Sequence, residues 1–352
     1  MATRRSPGRR RPSSPRVALV GEDAGVRNAE RSPRPPFRRR TATGAALGAV
    51  VGVTCVGFVA ARLASQWPQV RDQVADASMG WLAATVALAG AGMTWIAVCW
   101  RLALGLSGPR PGRRRTVAWY YAGEIGKYVP GGVWPVLGRG ELARRGGVPR
   151  GRAYPSVGLS LVALYMAALA LVAALAPLDL ATRSSSRAPL ALLVLLPLGA
   201  AALHPRVLGW GRDLLVRLTG RGSEVVVPPW RATAGLVAAY LPAWLLIWAA
   251  TWCASRALVP DPPLLQVGVA TMLSWVAGFA AVPVPAGAGV REAVFVAAAG
   301  LEPGIAATVA VGSRLAFLVV DVAGVVLTVP WHRHPDRPVA PGPPAVERTL
   351  VP

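Results

Sequence analysis

Of the 38 basic residues in this 352-residue chain only Lys127 is a lysine; the rest are arginine, and acidic residues number 16. So lopsided a choice of cation reflects composition as much as selection, and single arginines in loops carry little functional weight. Cysteine is nearly missing too. Cys55, Cys99 and Cys253 stand alone in apolar runs, which excludes a disulfide framework and a cysteine-based metal site and leaves small buried hydrophobes. Only three histidines occur, and His332 and His334 fall in a polar tail, so no metal constellation is expected. Polar faces at a 3.6-residue period are scarcely present in the apolar stretches, which rules out a soluble helical protein. No nucleotide-binding motif, no nucleophile–base pair and no Asp-rich nucleotide-sugar motif can be found.

What is present is hydrocarbon. Hydrophobic residues make up 53% of the chain and charged ones 15%. Apolar runs near the length that crosses about 30 Å of lipid recur, so the fold class is all-α, a polytopic integral membrane protein. About six transmembrane helices are expected, at 43–62, 79–100, 154–176, 188–204, 232–254 and 304–330, together with two re-entrant helical hairpins. Twelve arginines lie in residues 1–41, and five each in 101–116, 138–153 and 205–231. Placing those clusters inside puts both termini in the cytoplasm of a multi-pass cell-membrane protein. The net charge of +22 is then a topology signal and no indication of nucleic-acid binding. Residues 1–41 read as a disordered Arg/Pro-rich arm able to lie on the anionic inner leaflet, 42–330 as the membrane domain and 331–352 as a disordered tail.

The segment around Lys127 runs between two basic loops, so it enters and leaves by one face. It breaks at Pro130, Gly131 and Gly132, with Arg139 and Glu141 beyond. A second apolar helix, from Leu264, breaks at Pro283, Pro285, Gly287 and Gly289, meets Arg291 and Glu292, and turns back from the opposite face. Gly/Pro-broken segments at corresponding places in two halves point to an inverted repeat with a central transport site. Charges at hydrocarbon depth must pair or face water, at about 2.5–3.5 kcal/mol for each left alone at the centre. Glu124 and Lys127 share a helix face, and Arg314 and Asp321 lie two turns apart on one stripe of the last span, spaced as a candidate pair. Tyr128 is the aromatic best placed to line a cavity, while Trp119 suits the interfacial belt.

Gly123 to Trp134, followed by Gly138, Arg139 and the run from Arg145 to Val148, together with Val282 to Ala293, resembles the lysylphosphatidylglycerol synthase transmembrane-region family over residues 42–330. Arg314 falls where that family's last helix carries an arginine. The resemblance implies a membrane fold with two re-entrant segments and, in the multiple peptide resistance factor branch, movement of an aminoacylated phospholipid between leaflets. After the last span only 22 residues remain, so no acyltransferase-like synthase domain is expected there.

The function expected is a lipid flippase or transporter, not an enzyme. It would carry a phospholipid or polyprenyl-phosphate-linked lipid through a cavity bound by Glu124, Lys127, Tyr128, Arg139, Arg291, Glu292, Arg314 and Asp321, without cofactor or metal. One alternative is an accessory scaffold for a glycosyltransferase partner; another is an intramembrane lipid-modifying enzyme. Oligomeric state is not legible in the sequence.

Overall fold

The structure is a computed structural model that describes residues 77–128, 133–182, 188–219, 226–281 and 287–332. The expected first span, the basic arm and the C-terminal tail beyond His332 lie outside these, as do Pro130, Gly131, Gly132, Pro283 and Pro285, while Trp331 and His332 close a 3₁₀ turn, Val329–His332. Every regular element among the described residues is helical. Ten α-helices follow in order: α1 (Met79–Gly105), α2 (Arg113–Glu124), α3 (Trp134–Arg145), α4 (Arg150–Thr182), α5 (Leu195–Ala202), α6 (Pro205–Thr219), α7 (Trp230–Arg256), α8 (Leu264–Ala280), α9 (Val290–Ala298) and α10 (Pro303–Thr328).

α1, α4, α7 and α10 are each long and apolar enough to cross a membrane. Their ends follow local chemistry. Pro303 opens α10, where a missing N–H costs nothing, and the Glu302 carboxylate accepts from the Ile305 N–H at 3.0 Å. Hydrogen bonds from the Gly304 and Ile305 backbone hold the Glu302 carboxyl below the usual carboxylate range.

The α2 and α3 arms, of 12 residues each, reach only about 18 Å at 1.5 Å per residue, well short of a bilayer core. The 17-residue α8 and 9-residue α9 are likewise too short for separate spans. Each pair folds back on itself, α2 on α3 and α8 on α9, as two helical hairpins. A 3₁₀ turn, Ile125–Tyr128, extends α2 to the edge of the first break.

The stretch 188–204 is not the straight span its hydropathy suggests. It begins as a 3₁₀ helix, Ala188–Val194, continues as the short α5 and bends by 70° into α6. Pro197 has no N–H to give the carbonyl four residues back, so the α-helical ladder cannot run through that point, and Pro205 starts a new helix. α6 itself lies where a loop is expected. Its exposed Val207, Trp210 and Leu214 share one face, with Arg206 and Arg217 beside it and Arg212 on the opposite side. An apolar face bordered by arginines is the pattern of helices that lie in a membrane interface.

The core is built where α1 and α7 cross. Gly92 permits the approach, since a Cβ there would sit 3.1 Å from Ile247 and 3.4 Å from the Ala243 carbonyl. Trp100, Tyr240 and Trp244 are fully enclosed, and each polar tip finds a partner. Trp100 Nε1 donates to Ser156 Oγ at 3.1 Å, Trp244 Nε1 donates to the Leu164 carbonyl at 2.7 Å, and Tyr240 shares a hydrogen bond with Ser160. In lipid an unpaired indole N–H or hydroxyl would have no water to turn to. Trp244→Ala should therefore destabilise the fold by about 3–5 kcal/mol, read as a lowered unfolding temperature in detergent.

Candidate functional site

Both hairpins close in the same way. On the first, Gly123 of α2 lies against α3: a Cβ there would strike the Arg139 side chain and come 3.0 Å from the Arg139 nitrogen, and one on Gly138 would stand 3.4 Å from Gly123 Cα. On the second, a Cβ on Gly278 of α8 would strike the Arg291 side chain and stand 3.6 Å from Gly287 Cα. Gly287 and Gly289 have φ of +64° and +84°, the left-handed region that glycine enters freely, so the turn into α9 needs them. In each hairpin a glycine of the first arm seats an arginine of the second.

The first hairpin gathers four charges with the last helix. Lys127 Nζ lies 2.6 Å from Asp321 Oδ2 and 3.5 Å from Glu124 Oε2. Tyr128 donates its hydroxyl proton to the same Asp321 oxygen at 2.8 Å, which leaves Oδ1 of this fully enclosed carboxylate with no hydrogen-bond partner. Arg139 Nη2 stands 3.5 Å from Glu124 Oε1, its Nε donates to the Pro135 carbonyl at 3.3 Å, and its guanidinium lies 5.4 Å from the Tyr120 ring and 5.9 Å from the Trp100 ring. Lys127 therefore has two carboxylates in reach and Arg139 has one.

Arg291 differs. Its guanidinium stacks on Trp275 at 4.2 Å, and among the described residues no carboxylate pairs with it. The neighbouring Glu292 is taken up elsewhere: it accepts from the Gly289 N–H at 2.6 Å, capping α9, and pairs with Arg314 of α10 at 2.5 Å.

The two hairpins share one cavity of about 300 Å³. Glu124, Lys127 and Arg139 line it from the first, and Gly278, Gly287 and Arg291 from the second. Leu161 and Tyr165 of α4 and Trp275 and Phe279 of α8 complete an aromatic wall, with Tyr165 and Phe279 stacked at 4.2 Å. Val133 and Phe279, both exposed, give the cavity an apolar rim.

The eight binding residues expected from sequence thus divide into three groups. Glu124, Lys127, Arg139 and Arg291 face the cavity; Tyr128 and Asp321 lie behind Lys127; Glu292 and Arg314 line a separate, water-sized pocket of about 20 Å³ on the other side of Arg291. Two expectations need correcting. Arg314 and Asp321 do not pair with each other: seven residues of helix separate them by about 10 Å, so each reaches sideways to a different hairpin instead. Trp119 is not in an interfacial belt but buried, with Gly146 tight against its ring and Arg115 stacked on it. Leu161, Tyr165, Trp275, Gly278 and Phe279 escape sequence reading, because each sits within a uniformly apolar run with no local mark of its role. The recurrence of glycine before each break and arginine after it was the available signal for Gly278.

Removing Lys127 leaves Asp321 enclosed without a counter-ion, whereas removing both charges leaves nothing to compensate. Lys127→Met should cost about 3–5 kcal/mol, and Lys127→Met with Asp321→Asn should cost less than that single change. Unfolding temperatures for the single and double variants measure the coupling; simple additivity would contradict the pairing.

Two comparisons with known proteins bear on this geometry. No protein of curated function matches the chain. The profile of the lysylphosphatidylglycerol synthase TM region matches residues 45–327, a stretch that takes in both hairpins, the cavity between them and nearly all of α10. The chain is a membrane protein that belongs to the lysylphosphatidylglycerol synthase TM region family.

Proposed function

We propose that this protein moves an anionic, phosphate-bearing lipid headgroup between the leaflets of the cell membrane. The observation that carries the reading is a single cavity between two broken hairpins, lined by cations of both, in which Arg291 has no carboxylate partner among the described residues.

A charged headgroup faces a desolvation barrier in hydrocarbon. A fixed guanidinium offers parallel N–H donors to two phosphate oxygens and replaces the lost water. Arg291 lies over the Trp275 ring at 4.2 Å, and among the described residues no carboxylate takes up its N–H donors. At about 30 Å³ per water the cavity has room for roughly ten waters, enough for a glycerophosphate-sized head but not for acyl chains. Those chains stay outside, against the apolar rim at Val133 and Phe279. Such binding needs neither cofactor nor metal, and no covalent step.

Three crossings separate the hairpins if α4, the bent segment that includes α5, and α7 each traverse the bilayer, so the hairpins dip in from opposite faces. Both termini and the arginine-rich loops then lie in the cytoplasm. In a chain freed of Cys55, Cys99 and Cys253, cysteines introduced at Arg110 and Arg145 should react with an impermeant thiol reagent only from the cytoplasmic side. Labelling of either from outside would reverse the orientation.

In proteoliposomes carrying a fluorescent phosphatidylglycerol, Arg291→Ala should slow translocation at least about tenfold, the loss of one charge-assisted contact, while Arg291→Lys should retain part of the rate. Equal rates for the alanine variant and the unmodified protein would sink the site assignment.

A further inference from the structure

We infer that Asp321 is a proton-binding site linked through Lys127 to occupancy of the cavity, so that a headgroup anion and a proton are loaded together. The inference rests on the transport reading above and supplies its energy source.

Lys127 stands between two claims. Its ammonium faces the cavity, with about a fifth of the side chain exposed, yet it is held 2.6 Å from a carboxylate that is itself fully enclosed. Asp321 does not line the cavity. An anion entering beside Arg291 competes for the lysine, which lines the same cavity from the opposite hairpin, whereas Arg139 there is flanked by two rings. Once the ammonium turns to the anion, Asp321 keeps one hydrogen bond, from Tyr128, and its Oδ1 has none. A bare carboxylate in such surroundings costs several kcal/mol, more than the free energy of taking up a proton from water.

The exchange balances. A Lys127 ammonium paired with an Asp321 carboxylate becomes an ammonium paired with a phosphate and a neutral carboxyl, with one proton taken from hydronium. The charge of the loaded site is therefore the same as that of the empty one. Release of the anion returns Lys127 to Asp321 and expels the proton.

Among the described residues no other group is placed to make this exchange. From α2, Glu124 stands on the far side of Lys127 and is shared with Arg139, while Tyr121 shares a hydrogen bond with Thr94 and Tyr120 lies against Met93 and Arg139. From the 3₁₀ turn come only Lys127 and Tyr128. α9 brings Arg291 and Glu292, and Glu292 is occupied by Arg314. α1 and α7 bear their arginines, Arg101, Arg231 and Arg256, near their ends, and Tyr240 is held by Ser160.

The test uses the full chain in proteoliposomes, with membrane potential clamped and fluorescent phosphatidylglycerol as the probe. A gradient of about one pH unit, acid on the side where the probe starts, should speed translocation by up to about tenfold, and the reverse gradient should slow it, since one proton is loaded per headgroup. In Asp321→Asn the ratio of rates with and without the gradient should fall to one, whatever the basal rate. Lys127→Met with Asp321→Asn, which leaves no enclosed charge without its partner at this position, gives the same comparison should the single variant fold poorly. In weakly buffered detergent, short-chain phosphatidylglycerol should draw about one proton per bound molecule into the unmodified protein and none into Asp321→Asn. Translocation indifferent to both gradients, or binding without proton uptake, overturns the coupling and leaves the transport reading standing. Absence of both binding and translocation of anionic lipid overturns the two together.

Discussion

Charges sunk among apolar helices must meet an opposite charge or open onto a wet cavity, and for one carboxylate or cation of each hairpin the partner comes from α10. The last helix sends Asp321 to Lys127 on the first hairpin and Arg314 to Glu292 on the second. Each pair removes a charge that would be costly if left alone, and each fixes one hairpin to a common strut. The arrangement could not be replaced by pairing within α10, whose two charges stand too far apart along the axis to touch. It also explains why both breaks in the chain are tolerated: the hairpin that lacks a continuous hydrogen-bond ladder is held by an ion pair to a helix that has one.

The hairpins are alike in construction and unlike in charge. A glycine in the first arm admits an arginine from the second in both, Gly123 for Arg139 and Gly278 for Arg291. Yet Arg139 is neutralised by Glu124 and enclosed by Trp100 and Tyr120, while Arg291 stacks on Trp275 and keeps its charge open to the cavity. A repeat that began with equivalent halves would offer two anion sites. Here one half neutralises its arginine and the other leaves it without a carboxylate among the described residues, beside the aromatic wall of the cavity.

Much of this was legible in the residues. Apolar runs and arginine clusters give the four long helices within a few residues, and the Gly/Pro breaks locate both hairpins, because backbone that leaves the helical ladder needs those residue types. Lys127 and Arg291 could be placed in one chamber from the paired breaks alone. Partnerships across space could not. Seven-residue spacing suggests that Arg314 and Asp321 share a stripe, which they do, but says nothing about which neighbours stand beside that stripe. The wall of Tyr165, Trp275 and Phe279 is equally silent in sequence, since an aromatic facing a cavity and one facing lipid sit in the same apolar run. The 188–204 segment misleads for a different reason: hydropathy averages over prolines whose missing N–H decides the backbone. α6 was hidden by its charge, although its spacing of Val207, Trp210 and Leu214 marks it.

If the protein carries a headgroup as proposed, the position of Arg291 determines how far the anion can travel in the conformation described. Its guanidinium and Trp275 border both the 300 Å³ cavity and the 20 Å³ pocket beyond. The four hydroxyls lining that pocket all donate to backbone carbonyls of their own helices: Thr251 to Ile247, Thr271 to Val267, Ser274 to Thr271 and Ser313 to Ala310. With their protons committed, they have only lone pairs left to offer, and the Glu292 carboxylate adds more. Arg314 borders that pocket as well, but its guanidinium is already paired with Glu292, so in the proposed transport a phosphate moving past Arg291 would exchange an open cation for acceptors and a neutralised one, and would stop on the cavity side. Passage to the far side then requires Arg291 to move with the phosphate. The element able to move it is α9, a nine-residue helix fixed at its start by left-handed Gly289 and by the hold of Arg314 on Glu292. The pair that stabilises the second hairpin is thus also the restraint that the proposed crossing would have to loosen.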